Sequence, residues 1–187
     1  TGQELLRLLV MHPSVALVSV TSGQEAGHPL TAVFPRLRGA PSVDGLSFME
    51  PDVAAVVATG AKVAFLALPH GVASEFAVPL LDHGIRVIDL SADFRLRSAE
   101  IYEEFYGHAH PAPALLTRAV YGLPEIYRDD IVAADLIASP GCYPTSILIP
   151  LLPLLKKKLI KADGIAVSSL SGVSGAGKKD PWGPADS

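Results

Sequence analysis

The stretch Ser139-Pro140-Gly141-Cys142-Tyr143-Pro144-Thr145 places the only cysteine of the chain where an apolar segment turns into a helix. A thiol at the first turn of a helix faces unpaired backbone N–H groups and the positive end of the helix dipole, and both favour the thiolate, the nucleophilic form. Gly141 and the two prolines specify a rigid, sharply bent backbone, unlike the interior of a strand or helix. Cys142 is therefore the candidate nucleophile, the alternative being a buried cysteine that acts as a small hydrophobe. A single cysteine excludes an intramolecular disulfide framework and a multi-cysteine zinc site.

Other polar residues stand where apolar runs end. Residues 63–68 form a continuous apolar run with the length of a strand covered on both faces, which belongs in mid-sheet. Pro69-His70-Gly71 follows as a strand-to-helix loop, and ligands of open parallel sheets bind at the carboxyl ends of the strands, so His70 is a candidate site residue. A solvated or capping histidine is the alternative. The next strand, 86–90, delivers Asp93 and Arg95 to the same edge. Either these two pair with each other, or Arg95 faces the cleft, where its fork suits a carboxylate or phosphate. Thr21-Ser22-Gly23 ends an earlier strand with small hydroxyls where a fold binding NAD often holds Asp or Glu for the ribose. That leans toward NADP, with an ordinary polar turn as the alternative and nearby Glu25 arguing the other way. His108 and His110 lack a third ligand of suitable spacing, so no metal site is expected.

The elements that must position these residues alternate between strand and helix, which marks an α/β chain. Leucines at 5, 6, 8 and 9 predict a helix over 3–12, stopped by Pro13, and a buried strand follows over 15–20. Residues 24–45, rich in Gly, Pro and Arg, read as a long surface connection before an edge strand at 46–49. Helices are expected over 53–58, 72–83 and 99–106, the last capped by Ser98, with turn-rich segments at 108–113 and 121–125. A short strand, 136–138, leads to Cys142 and to a helix over 144–160 closed by three lysines. A final strand, 165–170, opens into a glycine-rich loop from Ser171 to Lys179. Gly172, Gly177 and Lys178 match P-loop spacing, but Lys179 stands where a magnesium-binding hydroxyl is required and 180–184 cannot continue as a helix. Such a loop can still hold an anion through its N–H groups.

The 187 residues are 49% hydrophobic and 18% charged with net charge −4, which points away from disorder and from a nucleic-acid surface and toward small molecules or further copies of the chain as partners. The longest apolar run falls far short of the roughly 20 residues that cross a bilayer. A cytoplasmic setting fits the cysteine usage. The chain starts inside a helix and stops soon after a strand, so truncation at both ends is expected, leaving room for an organellar targeting peptide ahead of Thr1.

Several motifs agree with one family. Residues 1–9 (TGQELLRLL), 65–71 (FLALPHG), 91–96 (SADFRL), 121–125 (YGLPE), 140–145 (PGCYPT) and 171–177 (SGVSGAG) run in order through the chain, which resembles N-acetyl-γ-glutamyl-phosphate reductase of arginine biosynthesis. The resemblance implies an NADP-dependent reductase of an acyl phosphate that works through a Cys142 thioester and assembles as a homo-oligomer. It implies a Rossmann-type parallel-sheet domain over 1–141, without its first strand and part of its glycine-rich loop. The catalytic helix and the beginning of a second α+β catalytic and dimerisation domain would span 142–187. Gly2, Thr21, Ser22, Gly23, Pro69, His70, Gly71, Ser174 and Gly175 are then expected at the cofactor, and Arg95, Glu125 and Tyr143 at the substrate. The family's acid/base histidine lies downstream of its cysteine, whereas all six histidines here precede Cys142, so that residue is expected beyond Ser187. Three alternatives stay open: a sister reductase acting on a carrier-linked aminoadipyl phosphate or an aspartyl phosphate, a cysteine acyltransferase or hydrolase that needs no nicotinamide, and a nucleotide-binding module that is inactive because it is truncated.

Overall fold

The leucines near the start give helix α1 (Gly2–Val10) its apolar stripe, with Leu6 buried, and Pro13 follows its end. The computed structural model describes residues 1–170 and 172. Strand β1 (Val20–Thr21) pairs in parallel with β2 (Phe48–Met49), Val20 opposite Phe48. The buried strand expected over 15–20 is thereby reduced to two residues, and Val15 and Val18 are exposed. An apolar run becomes a strand only where a neighbour completes its hydrogen bonds, and 15–19 have no sheet partner among the described residues. The expected edge strand at 46–49 likewise keeps only Phe48–Met49.

The surface connection expected over 24–45 instead carries a core. Helix α2 (Leu30–Val33) and two 3-10 turns, Pro35–Leu37 and Pro41–Val43, bury Leu30, Leu37 and Val43 against Leu6 and Phe48. Prolines open each of those turns, so the buried positions follow neither helical nor strand spacing.

Helix α3 (Val53–Ala58) keeps the expected bounds because Asp52 caps it, its carboxylate accepting the Ala55 N–H at 2.7 Å. Next come β3 (Val63–Leu66), α4 (Ala73–Asp82), β4 (Arg86–Asp89), α5 (Ala99–Tyr106), α6 (Ala114–Arg118), β5 (Val120–Tyr121), α7 (Pro124–Ala133) and β6 (Leu136–Ala138). The four strands form one parallel sheet in the order β3-β4-β6-β5. This is the α/β, Rossmann-type arrangement read from the sequence, with a correction: β3 lies at the end of its sheet, and Val63 is exposed. Strand β1 pairs with β2, which leaves β3 bonded only to β4 among the described residues. Helices α6 and α7 were not legible as helices.

Val87, Leu136 and Ala138 of the sheet are buried with Ala73, Ala77, Leu80 and Leu81 of α4. Each large aliphatic side chain removed from water there contributes about 1.5–3 kcal/mol. The strand ends are in register: Leu66 lies opposite Asp89, Asp89 opposite Ala138, and Tyr121 opposite Ala138. The segments after all four strands therefore leave from one sheet edge.

Thr1–Pro140 form one compact unit, and the described residues from Gly141 onward belong to a second. Helix α8 (Cys142–Lys156) begins two residues earlier than expected and ends earlier, with Lys158 in a left-handed conformation. The strand expected over 165–170 does not form; these residues are exposed and belong to no helix or ladder, and Leu170 is 96% exposed.

Gly122, which follows β5, lies close against the end of β6. Its N–H donates to the Ala138 carbonyl at 2.8 Å. A Cβ there would lie 2.8 Å from Ile137 Cγ2, 3.1 Å from the Ala138 oxygen and 3.2 Å from Ser139 Cα. Gly122→Ala should therefore cost about 1–3 kcal/mol of stability through overpacking, read as a lower denaturant midpoint. An unchanged midpoint would show that the strand ends part freely.

Candidate functional site

The sheet edge is organised by alternating polar residues leaving β4. Asp89, fully buried, accepts the Ser91 N–H at 2.9 Å on one oxygen and the Ser91 hydroxyl at 2.7 Å on the other. The Ser91 oxygen in turn accepts the Asp93 N–H at 3.1 Å. The chain is thus folded back so that Asp93, also fully buried, faces the loop between β3 and α4. Its two carboxylate oxygens accept the N–H groups of Gly71 at 2.8 Å and Ala73 at 3.0 Å. A residue some twenty positions downstream supplies the cap of α4.

His110 supports this turn from behind. Its Nε2–H donates to the Asp93 carbonyl at 3.0 Å, and its Nδ1 accepts the Ala112 N–H at 2.9 Å. Burial holds this imidazole below its usual range. The fully buried Tyr102 stands edge-on to both His108 and His110, and its hydroxyl donates to His108 Nε2 at 3.4 Å. The two histidines therefore serve different partners, and among the described residues no three of His, Cys, Asp and Glu converge as a metal group would require.

The expected cofactor residues fall into two places within the first unit. At the end of β3, Pro69 and His70 are exposed, Gly71 has φ +82°, and His70 Nδ1 accepts the Ala92 N–H at 3.2 Å. Gly2 joins this group: a Cβ on it would stand 4.0 Å from Ala67 Cβ. Beyond β1, Thr21 and Gly23 are exposed, while the Ser22 oxygen accepts the N–H groups of Gln24 and Glu25 at 3.3 and 3.2 Å. The Glu25 carboxylate lies 3.9 Å from His28 Nδ1. Ser174 and Gly175, with the rest of the glycine-rich segment from 173 onward, lie outside the described residues.

Arg95 does not pair with Asp93. Its Nε donates to the Ser139 carbonyl at 2.8 Å and its Nη2 to the Leu90 carbonyl at 3.0 Å. The Asp93 oxygens are occupied by a helix start, so the guanidinium fork ties together the ends of β4 and β6 instead. Arg95 also lines a cavity of about 470 Å³ with Phe94, Arg97, Ala119, Tyr121 and Tyr127. Burial pushes the Tyr121 phenol above its usual range. Glu125 is exposed in the first turn of α7, where a negative charge also suits the helix dipole.

In the second unit Cys142 is the first residue of α8, behind the N-cap Gly141, and its thiol is exposed. Tyr143 is 47% exposed. The Thr145 N–H and hydroxyl both donate to the Gly141 carbonyl, at 3.0 and 2.8 Å. Pro144 has no N–H, so the open donors of this first turn are the N–H groups of Cys142 and Tyr143.

Sequence reasoning missed what Asp93, Ser91 and His110 do. The signal was small polar residues at 89, 91 and 93 in a segment that is otherwise apolar, since buried polar groups must be hydrogen-bonded.

Two family models match the chain: the NAD binding domain of semialdehyde dehydrogenase over residues 1–134 and the semialdehyde dehydrogenase dimerisation domain over 142–182. The chain is 59% identical over 179 residues to an N-acetyl-gamma-glutamyl-phosphate reductase of Akkermansia muciniphila, covering 96% of this chain and 51% of the relative. Proteins of the same name from Nitrosococcus oceani and Rhodopirellula baltica are 50% and 48% identical, each over 98% of this chain and 52% of the relative. The chain spans about half the length of the curated relatives it matches.

Asp89 provides a pH test of the turn. Burial raises its carboxyl above the ordinary range, opposed by the two Ser91 hydrogen bonds and reinforced by the Asp93 charge. With the folded-state value above the unfolded one, the stability this group contributes is fully present below the unfolded value and is lost as pH rises through the folded one. Asp89→Asn, which cannot ionise, should melt like the wild type near about pH 4 and gain on it progressively toward neutrality. Melting curves across that range check this; a wild-type advantage that grows with pH would contradict it.

Proposed function

The chain belongs to the semialdehyde dehydrogenase family, and from that premise we propose that it carries the dinucleotide-binding domain and the nucleophile of an N-acetyl-γ-glutamyl-phosphate reductase. The reaction is the NADPH-dependent conversion of N-acetyl-γ-glutamyl phosphate to N-acetylglutamate semialdehyde with release of phosphate, a step of arginine biosynthesis. The observation that carries this reading is Cys142, an exposed thiol at the first position of a 15-residue helix whose leading N–H groups have no side-chain cap.

Cys142 Sγ attacks the γ-acyl carbon, the carbon–oxygen bond to phosphate breaks, and phosphate departs with the electron pair to leave an acyl thioester on the cysteine. The carbonyl oxygen gains negative charge during attack, and the open N–H groups of Cys142 and Tyr143 are donors suited to it. NADPH, when bound, supplies the hydride that takes the acyl group to the aldehyde. Residues of the first unit fit such a dinucleotide. Gly2 has no side chain at the start of α1, next to Ala67, where a phosphate-bearing group must come close to backbone. Thr21, Ser22 and Gly23 offer hydroxyls and no carboxylate beyond β1, and Glu25 is turned toward His28, an environment that tolerates a 2′-phosphate.

Pro69, His70 and Gly71, with Ser174 and Gly175, complete the cofactor assignment. Arg95, Glu125 and Tyr143 are assigned to the substrate, Arg95 through the guanidinium N–H groups not engaged by Ser139 and Leu90. The dinucleotide domain is taken as 1–141 and the start of the catalytic and dimerisation domain as 142–187, which supports assembly as a homo-oligomer. A cytoplasmic location goes with this reading; among the described residues no helix is long and apolar enough to cross a membrane.

The decisive experiment is phosphate-dependent oxidation of N-acetylglutamate semialdehyde by the full-length protein, followed through NADPH formation with NADP and NAD compared. Cys142→Ser should abolish turnover while NADPH still binds. Turnover in that variant would remove Cys142 from the mechanism, and a preference for NAD would overturn the cofactor assignment.

A further inference from the structure

The loop that follows β3 has had half of its backbone donors taken by the protein itself. Pro69 carries no N–H, and the N–H groups of Gly71 and Ala73 end on the Asp93 carboxylate. The start of α4, which would otherwise attract a phosphate, is filled by an internal anion. The backbone N–H groups of His70 and Val72 remain, together with the His70 imidazole. That ring is fixed by its neighbour: Nδ1 accepts the Ala92 N–H at 3.2 Å, and an amide N–H can only donate. Nδ1 therefore presents its lone pair, and the ring proton resides on Nε2, on an exposed side chain.

We propose that His70 binds the dinucleotide through its side chain, as an Nε2–H donor, with the Ala92 N–H orienting the ring and Asp93 holding the backbone of the loop beside it. This rests on the dinucleotide-binding reading given above. The ligand atom it meets is an uncharged acceptor, a ribose hydroxyl oxygen or a ring or carboxamide acceptor. The fully buried Asp93 carboxylate beside the loop opposes a phosphate there. Gly71 serves the same arrangement, since its φ of +82° turns its N–H onto Asp93, a backbone conformation that side chains rarely adopt. Tyr106 flanks the ring at 6.2 Å between centroids.

Two substitutions separate the ring nitrogens. His70→Asn keeps an oxygen acceptor near the position of Nδ1 for Ala92 and has nothing at Nε2. His70→Gln places an amide donor near Nε2 and gives up the Nδ1 acceptor. Fluorescence titration of the full-length protein with NADPH should show His70→Asn binding about two- to tenfold more weakly than wild type, the value of one neutral hydrogen bond, with His70→Gln recovering most of the loss. Imidazole 15N shifts of the cofactor-free protein should report the Nε2–H tautomer at His70. The opposite order, with His70→Gln the weaker binder, or two variants that bind like wild type, would overturn the donor role while leaving the dinucleotide reading intact. An Nδ1–H tautomer would do the same. A wild-type protein that does not bind NADPH overturns both.

Discussion

Two N–H groups from the start of one helix converge on one buried carboxylate from the exit of the next strand, and the working edge of the sheet depends on that junction. A buried carboxylate is tolerable only when its oxygens are satisfied, and here Gly71 and Ala73 satisfy both at once. The arrangement also works in reverse, because α4 needs an acceptor for its leading N–H groups and its own N-cap, Val72, supplies none. Each partner satisfies the other, so the β3–α4 loop and the β4 exit are tied together at this point. Ser91 and His110 extend the constraint by fixing the backbone on either side of the Asp93 side chain.

The helix starts divide by how they are satisfied. Asp52, Asp93 and Ser98 provide oxygen caps to α3, α4 and α5, and α7 opens with Pro124, which has no N–H to satisfy. Helix α1 begins behind Thr1 without a side-chain cap bond, and α8 begins behind Gly141, which has no side chain to offer. These two helices are the ones assigned to the dinucleotide and to the nucleophile. At α4 the internal Asp93 cap takes up the donors and opposes the dipole that would otherwise attract an anion, whereas α8 keeps its leading N–H groups open.

What the sequence revealed follows the range of the interactions involved. The helices over 53–58 and 99–106 were legible because Asp52 and Ser98 cap them three residues away. The strand 136–138 was legible because it is buried on all sides. The strand expected over 15–20 was overstated because burial and ladder partners are tertiary facts, and the core around Leu30, Leu37 and Val43 was missed because proline-initiated turns carry no period. For the candidate site, Cys142 was proposed from its turn chemistry and His70 from its place after a strand, whereas Gly2 entered only through the family resemblance. The pairing of Asp93 with a helix start, and of Arg95 with Ser139, was not: near neighbours in sequence gave the plausible but mistaken pair Asp93 and Arg95.

That division has a cause in the topology. A parallel sheet requires a crossover between every pair of neighbouring strands, so residues side by side at its edge are far apart in the chain, as Leu66 is from Asp89 and Asp89 from Ala138. A nucleophile needs only its own helix turn, and that turn is written in consecutive residues. The groups that orient a ligand at such an edge must instead come from different strand exits, because the ligand spans them. Local pattern can therefore single out a candidate nucleophile, while the groups brought together at the sheet edge emerge only once the crossovers are folded. His70, in this respect, belongs with Asp93 and Ala92 rather than with its neighbours in sequence.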